Sequence, residues 1–248
     1  MIVVTDAVVL HSATYLESSR ILRLATREAG VQSVVARGAR SSKKRFGSGV
    51  DLFAQGQAQI DIRPGRDLHT LTGFDVTVSR ADLASDLDRF LAANAIAECV
   101  LRLVHDEAAP AVYERLLAGL ERLQRAAPGD IVAAAVGALW QVVAEVGYRP
   151  AIDQCAECHA PLDPAQELRF NHHTGGSLCG DCVRIAPGGR LLPEAARSAI
   201  RSWLSGEAVQ LEERAARAHQ RLLREFLIHQ LADARPLKAY QVWEQARW

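Results

Sequence analysis

The spacing of apolar residues changes near position 80, and no single layer of secondary structure accommodates both spacings. Before that point five short segments, VVTDAVVLH, RILRLATREAG, VQSVVARG, LFAQGQAQIDIRPG and LHTLTGFDVTVS, are rich in Val, Ile and Thr. Turn signals such as Glu-Ala-Gly and Arg-Pro-Gly-Arg separate them, so they predict strands. Five short strands in fewer than eighty residues suggest a small barrel or sandwich. After it, Leu83, Leu87, Phe90, Ala97, Leu101 and Val104 recur at three- and four-residue steps, and Tyr113, Leu116, Leu117 and Leu120 begin a second stripe. The fold class is therefore α+β, with a β-rich front and a helical remainder.

A third helical stretch, DIVAAAVGALWQVVAEVGY, is apolar nearly all round and predicts a buried central helix ended by Gly147 and Pro150. Helical signals return in LPEAARSAIRSWLSG and in EAVQLEERAARAHQRLLREFLIHQLA. In the latter, Leu211, Ala215, Ala218, Leu222 and Phe226 form the apolar stripe, and Glu212, Arg217, Arg221 and Arg224 lie opposite as a solvated face. The expected organisation is a β-domain over 1–79, a helical domain begun at 80–149, a cysteine-bearing insert at 150–188 and the rest of the helical domain at 189–248. Phe90 and Trp140 read as core, and Cys99, among apolar residues at helical spacing, reads as a buried small hydrophobe. No apolar run approaches the length of a membrane span, and MIVVTDAVVLHS lacks a cationic lead and carries Asp6, so a cytoplasmic location is expected.

Four of the five cysteines form two Cys-x-x-Cys pairs, Cys155/Cys158 and Cys179/Cys182, with twenty residues between them. Two thiolates three residues apart on a tight knuckle can face one ion, and two knuckles complete a tetrahedron. Four protein ligands leave no open position, so the expected role of the ion, Zn2+, is structural. His159, His172 and His173 lie between the pairs as substitute ligands, less needed where four cysteines are present. A redox role is the competing reading, but no strand-helix context of the redox kind surrounds either pair.

Signs of catalysis are missing. There is no Walker phosphate loop, no Gly-x-Gly-x-x-Gly opening a helix and no Gly-x-Ser-x-Gly. Asp86 and Asp88 stand two apart, which puts them on different faces of a helix, so they read as first-turn acids that favour its N-terminus. His105 and Asp106 read as surface. The expectation is a binding protein without enzymatic activity, with a nucleic-acid-modifying enzyme or a scaffold that meets only proteins as the alternatives.

Charge carries the remaining information. The chain is neutral overall, yet residues 1–80 hold eleven Lys and Arg against seven Asp and Glu, and residues 81–248 hold eighteen against twenty-two. The surplus concentrates in RGARSSKKRFGSG, where Arg37, Arg40, Lys43, Lys44 and Arg45 fall within nine residues and no acid occurs from Gly38 to Val50. Cations on a glycine-bounded loop neutralise successive phosphates and release counterions, which gives affinity without sequence preference. Phe46 follows directly, positioned either to stack on a base or to anchor the loop on the β-domain.

The motifs "LATREAG", "RGARSSKKRFGSGVDLF", "CAEC", "CGDC" and "RPLKAYQVW", in that order over essentially the whole chain, resemble the RecO family of bacterial recombination mediators. The resemblance implies an N-terminal five-stranded OB-fold, a central helical domain and a zinc-ribbon-like insert found in some relatives. It implies binding of single- and double-stranded DNA, annealing of complementary strands, and action with RecR to load RecA on DNA coated by the single-strand-binding protein. It also implies capture of the coating protein's acidic C-terminal tail by the helical domain, for which Arg115 and Arg122, seven apart on one helix face, are candidates. Ala239 and Tyr240, after Leu237 and Lys238, depart from the expected end pattern.

Overall fold

Alternating apolar residues build the five expected strands: β1 (Ile2–Tyr15), β2 (Ser19–Thr26), β3 (Gly30–Ala36), β4 (Gln55–Asp61) and β5 (His69–Val78). They close into a barrel in the order β1-β2-β3-β5-β4. The computed structural model describes residues 1–39, 46, 50–186, 188–231 and 235–246. Closure depends on the length of β1. Its first half pairs antiparallel with β4 (Ile2 opposite Asp61) and its second half with β2 (Tyr15 opposite Ser19), and a register shift between Val9 and His11 bends the strand between its two partners. A single short parallel contact, Val34 and Val35 with His69 and Thr70, joins β3 to β5 and removes the last free edge.

Inside the barrel, Ala7, Val9, Leu22, Leu24, Val34, Ala36, Ala58, Ile60, Leu71 and Phe74 make one core, completed by Phe46 and Val50 from the segment between β3 and β4. Phe46 is fully buried there. This corrects the base-stacking expectation for Phe46: a ring enclosed on both faces offers none to a base, and its burial stabilises the barrel by about 2–3 kcal/mol instead.

The chain divides into two compact units, 1–117 and 118–248. In the first, α1 (Ala81–Ser85) and α2 (Leu87–Leu103) follow the barrel, and α2 packs on the outside of β1 and β2. The buried side of α2 is Ala92, Ala93, Ile96, Ala97, Cys99 and Val100, whereas Leu87 of the expected stripe is half exposed. Small residues let the helix approach the strands closely, and alanine gives the apolar pattern little contrast. Asp86 caps the same helix, its Oδ1 accepting from the Arg89 N–H at 2.9 Å. The segment after α2 also runs close to the barrel at Gly30, with φ of 63°, where a Cβ would sit 2.2 Å from the carbonyl oxygen of His105.

Helix α3 (Pro110–Arg125) spans the division between the units. In the second unit, α4 (Ile131–Glu145) is the central buried helix, with α6 (Glu194–Leu204) and α7 (Glu213–Gln230) packed on it. Gly137 of α4 lies under the Trp203 indole, and Trp140 meets Phe226 of α7 at 5.2 Å between ring centroids. The buried face of α7 is rotated from the expected stripe. Ala218 is exposed, while His219 and Gln220 are buried with Leu222, Leu223, Phe226 and Leu227. Each of the two polar residues finds a neighbour: His219 packs edge-on against Trp203, and Gln220 accepts from Arg217 at its Oε1, 3.3 Å away, while its backbone oxygen accepts from the Tyr240 hydroxyl at 2.7 Å. Tyr240 belongs to α8 (Lys238–Gln245), so the departure at Ala239 and Tyr240 is an anchor for the last helix.

Between α4 and α6 the cysteine-bearing segment forms a three-stranded sheet, β7-β6-β8, from β6 (Leu168–Asn171), β7 (Gly176–Leu178) and β8 (Arg190–Leu192), with the one-turn α5 (Cys182–Ile185). The third strand comes from beyond residue 188. The buried Phe170 of β6 touches Phe226 at 5.9 Å and attaches the sheet to α7.

Candidate functional site

The two Cys-x-x-Cys pairs converge. Cys155 and Cys158 lie in the turns before β6, Cys179 directly follows β7, and Cys182 opens α5. The four sulfurs all lie within 4.8 Å of one another, and Cys158 Sγ and Cys179 Sγ are 3.7 Å apart. Tetrahedral coordination with metal–sulfur bonds of about 2.3 Å requires sulfurs about 3.8 Å apart, so the quartet fits a four-thiolate ion. Backbone groups prepare it. Burial pushes the Cys155 thiol up, but N–H groups of Cys158, Cys179 and Glu157 aimed at its sulfur hold it down to about 6. Hydrogen bonding with Cys179, then burial, pushes Cys182 up to about 12. The first thiolate is therefore ready at neutral pH, and a divalent cation is what would make the others release their protons.

The intervening histidines point elsewhere. His159, with φ of 59°, occupies the left-handed turn after Cys158. His172 Nε2 lies 3.0 Å from Glu225 Oε2, and the His173 ring packs on His229 at 4.0 Å. Among the described residues the four cysteines form the one group of metal-ligand geometry. Cys99 is buried in α2, where desolvation raises its pKa and keeps it a protonated thiol.

At the barrel, Arg37 is exposed in the turn that follows β3. Arg40, Lys43, Lys44 and Arg45 lie outside the described residues. Several cations of the ordered barrel already have partners: Arg27 with Glu114 at 3.3 Å, Arg63 with Asp61 at 3.4 Å, and Arg23 with the Leu101 carbonyl at 3.4 Å. Arg80 is 2% exposed and donates to Gln55 Oε1 and to the Phe53 carbonyl. Much of the basic surplus counted in the first eighty residues is thus structural, which leaves the segment between β3 and β4 as its concentrated part.

Of the two arginines expected to meet an acidic tail, Arg115 is exposed on α3 and Arg122 lines a cavity of about 570 Å3 in the second unit. Arg122 donates to the Gly206 carbonyl at 3.3 Å through Nη2, while its buried Nη1 has no hydrogen-bond partner. Arg125, Trp203 and Val209 share the lining with Ala134. Sequence reading missed Arg125 and Trp203. Arg125 follows Arg122 by one helical step, a signal available in the sequence, whereas Trp203 arrives from a separate helix.

The chain matches the family model "Recombination protein O N terminal" over residues 1–80 and "Recombination protein O C terminal" over residues 84–240. It is similar to proteins named DNA repair protein RecO. One from Anaeromyxobacter dehalogenans is 37% identical over 196 residues, covering 76% of this chain and 73% of the relative. A second, from an Anaeromyxobacter species, is 34% identical over 233 residues, covering 90% and 89%. A third, from a Nocardioides species, is 31% identical over 217 residues, covering 86% of each.

Proposed function

The chain belongs to the RecO family, and from that membership we propose that it is a non-enzymatic DNA-binding mediator of recombinational repair. It binds single and double strands, anneals complementary ones and, with RecR, helps load RecA. The observation that carries this reading is the closed barrel whose cationic segment, Arg37 to Arg45, leaves β3 and is followed at once by a core anchor, Phe46. Small closed barrels of this size serve as oligonucleotide platforms. Annealing needs no nucleotide hydrolysis: fixed cations that screen two phosphate chains at once lower the barrier to pairing, and base pairing drives the product.

In this reading Zn2+ occupies the cysteine quartet and only shapes the insert, because four thiolates leave no position for substrate. The acidic tail of the single-strand-binding protein enters the cavity beside Arg122, where Arg122 and Arg125 offer guanidinium groups to a carboxylate, Trp203 and Val209 offer apolar surface to its side chain, and Glu121 and Asp130 oppose its charge. The site of action is the cytoplasm, at the bacterial DNA. No helix among the described residues is long and apolar enough to cross a membrane.

The test is strand binding and annealing by the purified chain with Lys43, Lys44 and Arg45 replaced by Ala. Single-strand affinity should fall and the logarithmic salt slope should flatten by about 2, since each phosphate contact contributes roughly 0.7. Unchanged binding and annealing at low and moderate salt would remove the cationic segment from the interface.

A further inference from the structure

Between β1 and β2 the chain turns through Leu16, Glu17 and Ser18, and this tip is built in an unusual way. Leu16 has φ of 53°, a left-handed backbone that glycine or asparagine adopts without strain, and its side chain is 72% exposed. Tyr15, the residue before it, is 42% exposed. A strained leucine and a tyrosine held in water contribute little to the barrel core, which is composed of other residues. Backbone strain of this kind concentrates where a side chain must be presented.

Strand register says to what the tip is presented. Tyr15 stands opposite Ser19, and Arg20 stands opposite Ala36. Leu22, Leu24, Val34 and Ala36 point into the core, so even-numbered positions on β2 and β3 face inward and odd ones outward. Tyr15 and Ser19 therefore close the β1–β2 hairpin at the barrel end where β3 runs out at Ala36, one residue before Arg37. With strands about 4.8 Å apart, Tyr15 and the first cation of the basic segment begin about 10 Å from each other. Glu17 makes the tip itself unattractive to phosphate.

We propose that Tyr15, with Leu16 beside it, stacks on the unpaired bases of a strand whose phosphates are held by the cationic segment. This rests on the nucleic-acid reading above and adds to it a base-contacting element that separates single strands from duplex. In duplex DNA the base faces are already stacked and offer the ring no surface; in a single strand they are open. The tyrosine ring supplies the stacking face, the exposed leucine covers the adjoining base edge, and neither contact involves charge.

The test measures binding of a fluorescent single-stranded oligonucleotide and of its duplex across a salt series. Tyr15→Ala should weaken single-strand binding roughly 5- to 100-fold with the salt slope unchanged, and should leave duplex binding as it is. Tyr15→Phe should restore affinity to within about twofold, because the ring is kept. Leu16→Gly should also weaken single-strand binding while its thermal midpoint stays level or rises, since glycine relieves the backbone, which separates lost contact from lost fold. Wild-type affinity in Tyr15→Ala, beside a flattened slope in the Lys43/Lys44/Arg45 variant, would overturn the stacking role and leave the reading of the basic segment standing. Loss of affinity in Tyr15→Ala accompanied by a changed slope, or by equal loss on duplex, would also overturn it. Failure of the wild-type chain to bind either DNA would overturn the underlying reading and this proposal with it.

Discussion

His219 sits on the buried face of α7 against the edge of Trp203, and burial lowers its pKa from 6.5 to about 4. In the folded chain it stays neutral where the unfolded chain would protonate it. A depressed histidine of this kind costs nothing above pH 6.5 and destabilises progressively as pH falls from 6.5 toward 4. At 1.36 kcal/mol per unit the whole loss approaches about 3 kcal/mol. Urea midpoints measured from pH 7.5 to 4.5 should therefore fall more steeply for the wild type than for His219→Leu, and parallel curves would show that this imidazole is not what the acid attacks. Apolar stripes cannot reveal such a residue. A histidine scores as polar in the pattern, so the stripe places Ala218 toward the core with Leu222 and Phe226, whereas the structure buries His219 with those two and exposes Ala218.

Elements differ in how much of their stability is their own. The barrel carries a continuous apolar core, but the sheet β7-β6-β8 has three strands of three or four residues and borrows its one large apolar contact, Phe170 on Phe226, and its polar contacts at Glu225 and His229 from α7. Coordination by Cys155, Cys158, Cys179 and Cys182 would supply what the insert lacks, on the order of 10 kcal/mol. Removing the metal with a strong chelator should therefore increase amide exchange across residues 150–190 at least tenfold and leave the barrel strands protected; uniform protection throughout would mean that the insert holds without an ion. This element was legible in sequence because its chemistry is local: four residues at fixed spacing specify the ligand set. The five barrel strands were legible for a similar reason, since alternation and turn residues lie within each segment. What was not legible depended on partners far away in the chain. Phe46 is core because β1 to β5 close around it, and the side of α2 that is buried is its alanine side because that side permits the closest approach to β1 and β2.

Across the whole molecule, the proposed contacts fall on different units. The proposed DNA-facing elements, the β1–β2 tip and the segment from Arg37 to Arg45, belong to residues 1–117, while the cavity at Arg122 belongs to residues 118–248. Residues that share no partner contribute independently to binding. Arg122→Ala should then reduce affinity for a peptide with acidic residues and a free apolar C-terminus about tenfold or more, because the mutation removes a guanidinium from the lining of the cavity. The same variant should bind bare single strands as the wild type does, and should lose annealing only on strands covered by the coating protein. Anisotropy titrations with the labelled peptide and with bare DNA decide the matter: a loss confined to the peptide supports two separable surfaces. Equal losses on both would show that Arg122 serves the strand itself and that the two binding functions are not separable at this residue.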